Sequence, residues 1–90
     1  PEDIEIHDAF ETHGVRVDDE HVVMPLAHVH SALIQLFNRY ISPREVDEVL
    51  RQRVLEQGYS DEMQLSILDF RRIYFMYVYF VLCGVTTFQV

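Results

Sequence analysis

The side chains able to do chemistry are few. His28 and His30 form an H-x-H pair, with His21 upstream. On a strand, residues two apart share one face and make a plausible metal pair. On a helix they point about 200° apart and cannot share one ion. Asp18-Asp19-Glu20 could offer oxygens to a hard cation, and the plainer reading is a solvated loop face. Cys83 could be a nucleophile, but it lies in an apolar stretch with no base to lower its pKa, which fits a buried structural thiol. No Ser/Cys-His-Asp spacing, Gly-rich phosphate loop or pair of carboxylates in an apolar pattern can be assembled, so no enzyme is expected.

Four helices must position these groups. Ile6, Ala9, Phe10 and His13 recur at helical spacing up to Gly14, which suits a left-handed helix end, so the first helix is expected over residues 3–13. Residues 15–24 read as a loop ending in the β-branched Val22-Val23-Met24. Pro25 suits the first turn of a second helix, over 26–38, with Leu26, Val29, Leu33, Leu36 and Phe37 in one stripe. Ser42-Pro43-Arg44-Glu45 is a capping box: Ser42 caps the amide of Glu45, and Glu45 reaches back to the amide of Ser42. A third helix follows over 43–57, with Val46, Val49, Leu50 and Val54 on one face, and Gly58 ends it. Ser66-Ile67-Leu68-Asp69 repeats the capping pattern and opens a fourth helix. That helix is apolar all round, with Phe70, Ile73, Tyr74, Tyr77, Val78 and Val81 on one face and Phe75, Met76, Tyr79, Phe80 and Leu82 on another. Gly84 is the expected stop, and 85–90 is β-branched enough to be extended.

Ninety residues make one domain. The chain has 15 acids, 7 bases, all arginine, and a formal net charge of −8. The first twenty residues hold eight acids and one arginine, whereas Ile73 to Val90 carries no formal charge. Such acidity provides no field for a polyphosphate, which argues against a nucleic-acid module. At 49% hydrophobic residues the chain is not expected to be disordered. A single cysteine makes neither an internal disulfide nor a cysteine zinc site. No basic-then-apolar leader is visible, and Pro1 in place of Met suggests a piece of something longer.

The order helix, loop, short β segment, helix occurs twice. Asp8-Ala9-Phe10-Glu11 looks like an entering helix, and Met24-Pro25-Leu26-Ala27-His28-Val29 like a loop end running into an exit helix. Leu65-Ser66-Ile67-Leu68-Asp69-Phe70 looks like the second loop end, and Ile41-Ser42-Pro43-Arg44-Glu45-Val46 like the link between the halves. Together these resemble a degenerate EF-hand pair of the calmodulin, centrin and light-chain superfamily, over nearly the whole chain. The resemblance implies an all-α fold of two helix-loop-helix units in one lobe: hand one over 3–38, hand two over 42–83 and a tail over 84–90. It also implies a short antiparallel β-bridge in which Val23-Met24 faces Gln64-Leu65.

The loops depart from the calcium pattern. Calcium takes about six to eight oxygens, from loop positions 1, 3, 5, 7 and 9 and a bidentate Glu at 12. A first loop over 17–28 places Val17, Asp19 and His21 at positions 1, 3 and 5, and His28 at 12. It also seats about three residues too many after Phe10. A second loop over 58–69 places Gly58, Ser60 and Glu62 at 1, 3 and 5, and Asp69 at 12. Glu62 and Asp69 are weak metal candidates, and neither calcium nor another cofactor is expected.

The uncharged end of the chain has three readings. As a membrane span it would be about 27 Å long, just short of a ~30 Å hydrocarbon core. Its tyrosines are spread along it rather than gathered in a belt. As core, Phe70, Ile73 and Tyr74 close the lobe. The remaining face is more than so small a domain can bury, which marks it for a partner. The favoured reading is a calcium-independent adaptor or light-chain-like subunit that binds an amphipathic, basic helix of a partner protein. Phe37, Tyr74, Phe75, Met76, Tyr79 and Phe80 are the expected lining, and the acidic first twenty residues the rim. The alternatives are a structural subunit dimerising through its last helix, and a calcium-responsive regulatory domain. The resemblance implies a cytoplasmic, cytoskeletal or ciliary setting by analogy alone.

Overall fold

The computed structural model describes residues 2–49 and 63–83. It is mainly helical. Helix α1 spans Glu2–His13, strand β1 Val15–Arg16 and strand β2 Val22–Pro25. A 3₁₀ turn, Leu26–His28, leads into α2, Val29–Phe37. Helix α3 covers Pro43–Val49, strand β3 Gln64–Leu65 and helix α4 Ile67–Cys83. The expected remainder of the third helix, its stop at Gly58, the Gly84 stop and the extended 85–90 segment lie outside the described residues.

The sheet holds one strand more than the sequence predicts. Residues 15–24 are a hairpin rather than a loop, with Val15 opposite Val23 and Arg16 opposite Val22. The Val17 amide bonds to the His21 carbonyl across the turn at 2.9 Å. Strand β2 lies between β1 and β3, and both pairings are antiparallel. The two expected segments do pair, one residue out of the expected register. An antiparallel bridge of Val23-Met24 with Gln64-Leu65 puts Met24 on Gln64, whereas Met24 lies opposite Leu65, which sets Pro25 opposite Gln64. Pro25 therefore ends a strand instead of entering a helix, and α2 starts only at Val29, after the 3₁₀ turn.

The core lies where the helical stripes meet the sheet. Ile6, Ala9 and Phe10 of α1 and Val29, Ala32 and Leu33 of α2 are buried with Met24, Leu65, Phe70, Ile73 and Tyr77. The rings of Phe10 and Phe70 tilt against each other, with centroids 5.9 Å apart. Each fully buried side chain of this size contributes about 1.5–3 kcal/mol. Tyr74 is only half-buried, against the edge of this core.

Two chain reversals have different causes. Asn38 ends α2 in the left-handed region, at φ 52° and ψ 38°, which asparagine tolerates better than most residues. Gly14 was expected to be left-handed and is not. Its amide bonds to the Phe10 carbonyl at 2.7 Å, continuing the helix ladder. Glycine is needed there for space: a Cβ would lie 2.6 Å from the Phe10 carbonyl oxygen and 2.6 Å from Val22 Cγ1. Replacing Gly14 by alanine should cost about 1–3 kcal/mol through this overpacking. The check is a lower denaturant midpoint for Gly14→Ala, recovered in part by adding Val22→Ala, since only one of the two blocking atoms belongs to a side chain.

Candidate functional site

The acid run of the hairpin is a built turn. Asp18 Oδ1 accepts from the amides of Glu20 and His21 at 2.8 and 2.9 Å, and His21 Nδ1 sits 2.8 Å from both carboxylate oxygens. Arg16 donates to the Asp19 carbonyl across the same turn at 3.1 Å. The Glu20 amide and the His21 side chain hold the Asp18 carboxyl below its ordinary value. Asp18, Asp19 and Glu20 are all exposed, as a solvated face requires.

The histidines of the H-x-H pair are turned to different tasks. His28 Nδ1 donates to the carbonyl of His13, the last residue of α1, at 2.8 Å. That is favourable at a helix C-terminus, where carbonyls lack intrahelical partners. His30 is not on the outer face of α2, as the helical spacing suggests. It is half-buried, and its Nε2 donates to the Ile41 carbonyl at 2.6 Å, because the link between α2 and α3 folds over it. His13 Nε2 in turn meets Gln35 Oε1 at 2.9 Å, and Gln35 Nε2 donates to Asp8 at 3.3 Å beside a cleft lined by Glu5, Asp8, Gln35 and Leu36. Among the described residues no group of three or more His, Cys, Asp or Glu side chains could hold a metal ion. Asp69 accepts from the amide and hydroxyl of Ser66 at 3.2 and 3.1 Å, and the Asp69 amide donates back to Ser66 Oγ, a complete capping box. Glu62 lies outside the described residues.

The first capping box is completed only on one side. Ser42 Oγ accepts from the amides of Arg44 and Glu45, but the Glu45 carboxylate does not return to Ser42. It accepts the hydroxyl of Tyr77 at 2.8 Å instead, tying α3 to α4. Tyr77 is fully buried, and its hydroxyl would lose water without this acceptor. The pattern of α4 placed Tyr77 among core residues, but nothing local pointed to Glu45. The missed signal was the hydroxyl itself, since a buried tyrosine requires a partner.

The expected lining residues divide along α4. Phe37 stands edge-on to Tyr77 at 5.1 Å and tilted to Tyr74 at 5.7 Å, and Tyr74 is edge-on to Phe75 at 5.2 Å. Phe37, Tyr74 and Met76 are half-buried against the core, while Phe75 and Tyr79 are exposed. Only the backbone of Phe80 and Cys83 is described, as part of α4. Arg71 lies over the Phe75 ring at 5.6 Å and pairs with Asp3 at 3.2 Å, so an acid of α1 stands beside the aromatic face. Among the described residues no helix is long and apolar enough to cross a membrane.

Two titrations follow from this geometry. Burial, and then the Glu45 carboxylate, push the Tyr77 hydroxyl up from 10 to about 12. The neutral hydroxyl is the form the fold favours. Its contribution is complete below pH 10, the unfolded value, and is lost as pH rises through about 12. Tyr77→Phe should lower stability by about 1–3 kcal/mol at neutral pH and flatten the alkaline fall, as read by denaturation at a series of pH values. Asp18 has the opposite sense: its contribution is present above the ordinary carboxylate value and disappears as pH falls below it. The amide signals of Glu20 and His21 should titrate together below about pH 3.9, and Asp18→Asn should abolish that shared step in an NMR titration.

No protein-family model, curated protein or solved structure matches the chain.

Proposed function

We propose that this chain is a non-catalytic, calcium-independent interaction module of the EF-hand-pair kind, which binds a basic amphipathic helix of a partner protein. The observation that carries the reading is the aromatic face of α4. A continuous ladder of rings runs from Phe37 through Tyr74 to the exposed Phe75, and Tyr79 is exposed beyond it. Aromatic residues are enriched where a protein surface anchors a partner. The acids Asp3, Glu5, Asp8 and Glu11 are exposed on α1, and Asp3 reaches the same face through Arg71.

Two features support the EF-hand-pair part of the reading. Counted as twelve-residue loops, 17–28 and 58–69 have Met24 and Leu65 at position 8, and these two residues pair. Strand β2 runs straight into the 3₁₀ turn before α2, and β3 into α4 after Ser66. Calcium independence is supported by Val17 and His28 at the first and last positions of the first loop, neither of which offers an anionic oxygen. Tyr77 and Phe37 pack into the junction of α2, α3 and α4, which favours a lobe held in one state. By analogy, a light-chain-like or adaptor role in a cytoskeletal or ciliary assembly is the setting such a module would suit.

A fluorescently labelled synthetic helix of leucine and lysine should bind saturably, as read by anisotropy, and more weakly as salt is raised. The same helix with glutamate for lysine should not bind. Millimolar calcium should give no saturable heat in calorimetry and leave the peptide affinity unchanged. Equal binding of both helices, binding of neither, or a micromolar calcium isotherm would overturn the proposal.

A further inference from the structure

The outer stripe of α4 has a symmetry of its own. Leu68, Arg72, Phe75 and Tyr79 follow one another at spacings of four, three and four residues. That is the spacing of a coiled-coil seam, and it places all four on one side of the helix. Leu68 is 69% exposed, Phe75 40% and Tyr79 57%, and Arg72 is exposed as well. Arg71 is engaged with Asp3 and Phe75, but no hydrogen bond or ion pair joins Arg72 to another described residue.

The sequence four, three, four reads the same in both directions. Two α4 helices laid antiparallel therefore bring Leu68 against Tyr79 of the second copy and Arg72 against its Phe75, and each contact occurs twice. An interface about a two-fold axis requires such self-complementarity. The chemistry agrees at each level. An aliphatic side chain meets an aromatic one at both ends. In the middle a guanidinium with no hydrogen bond or ion pair to another described residue meets an exposed ring, which is a cation–π contact.

We propose that the outer face of α4 is covered by a second copy of this chain, packed antiparallel through Leu68, Arg72, Phe75 and Tyr79. The seam is about 16 Å long, so the dimer belongs to the weak, transient class. The interaction goes beyond the helix-binding reading because it needs no outside partner. Phe75 and Tyr79 belong to both surfaces, so a bound basic helix and the second copy exclude each other.

Sedimentation equilibrium of the whole chain over a wide concentration range tests the proposal. A reversible monomer–dimer equilibrium is expected, and added salt should strengthen it, because each copy carries a net charge of −8. Salt should act in the opposite sense on the basic helix, so the two readings can fail separately. Arg72→Glu and Phe75→Ala should each shift the equilibrium to monomer by at least tenfold with unchanged helical circular dichroism. Arg44→Glu, at an exposed position of α3, should not. A monomer at every concentration and salt, or variants that dimerise like the parent chain, would overturn the proposal. A dimer that binds neither synthetic helix would overturn only the helix-binding function.

Discussion

The Tyr77 side chain ties together three parts of the chain. It comes from the middle of the long helix α4, and its acceptor, Glu45, sits in the first turn of α3. Its ring is the edge on which Phe37 closes the end of α2. A buried hydroxyl requires an acceptor and the half-buried Glu45 carboxylate benefits from a donor, so each group offsets desolvation of the other. The short link from Asn38 to Ser42 is therefore held at both ends. Asn38 turns the chain through a left-handed conformation, and Ile41 is buried beneath it, with its carbonyl taken by His30.

The other half of the molecule depends on β2, which is paired on both sides. Towards α1 the hairpin absorbs the surplus residues that follow Phe10 and closes them with the Asp18 turn. Towards α4 the Met24–Leu65 pair places two fully buried side chains between the helices. Gly14 makes this arrangement possible by letting α1 end against Val22 without a side chain in the way.

Much of this was legible in the residues, and what was not has a common cause. The stripe of Ile6, Ala9 and Phe10, the stop at residue 14 and the Ser66–Asp69 capping box depend on neighbours within a few positions, and each took its expected place. The pairing of the Met24 and Leu65 segments was also foreseen, from the resemblance to an EF-hand pair, with the register one residue away from the expected one. Strand β1 was not, because Val15-Arg16-Val17 is too short for an alternation to stand out from a loop. Glu45 and His30 were each assigned by local pattern, one to its own helix cap and the other to solvent. Both were taken by groups that only the tertiary fold brings near. Of the expected lining residues, spacing identified Phe75 and Tyr79 as surplus to the core, but the half-burial of Phe37, Tyr74 and Met76 depended on the packing of α2 against α4.

Pro25 closes β2 with a residue that has an acceptor and no donor. The ladder with β3 can therefore be read in one alignment only. A slip of one residue would turn either Met24 or Leu65 from the core to the solvent. It would also ask Pro25 for a hydrogen bond that it cannot make. A two-residue bridge is otherwise a weak determinant of alignment, and exposed strands in such short pairings are prone to recruit neighbouring chains edge to edge. The imino acid thus disfavours misaligned pairing of the two halves and growth of the sheet past the point where the helices begin.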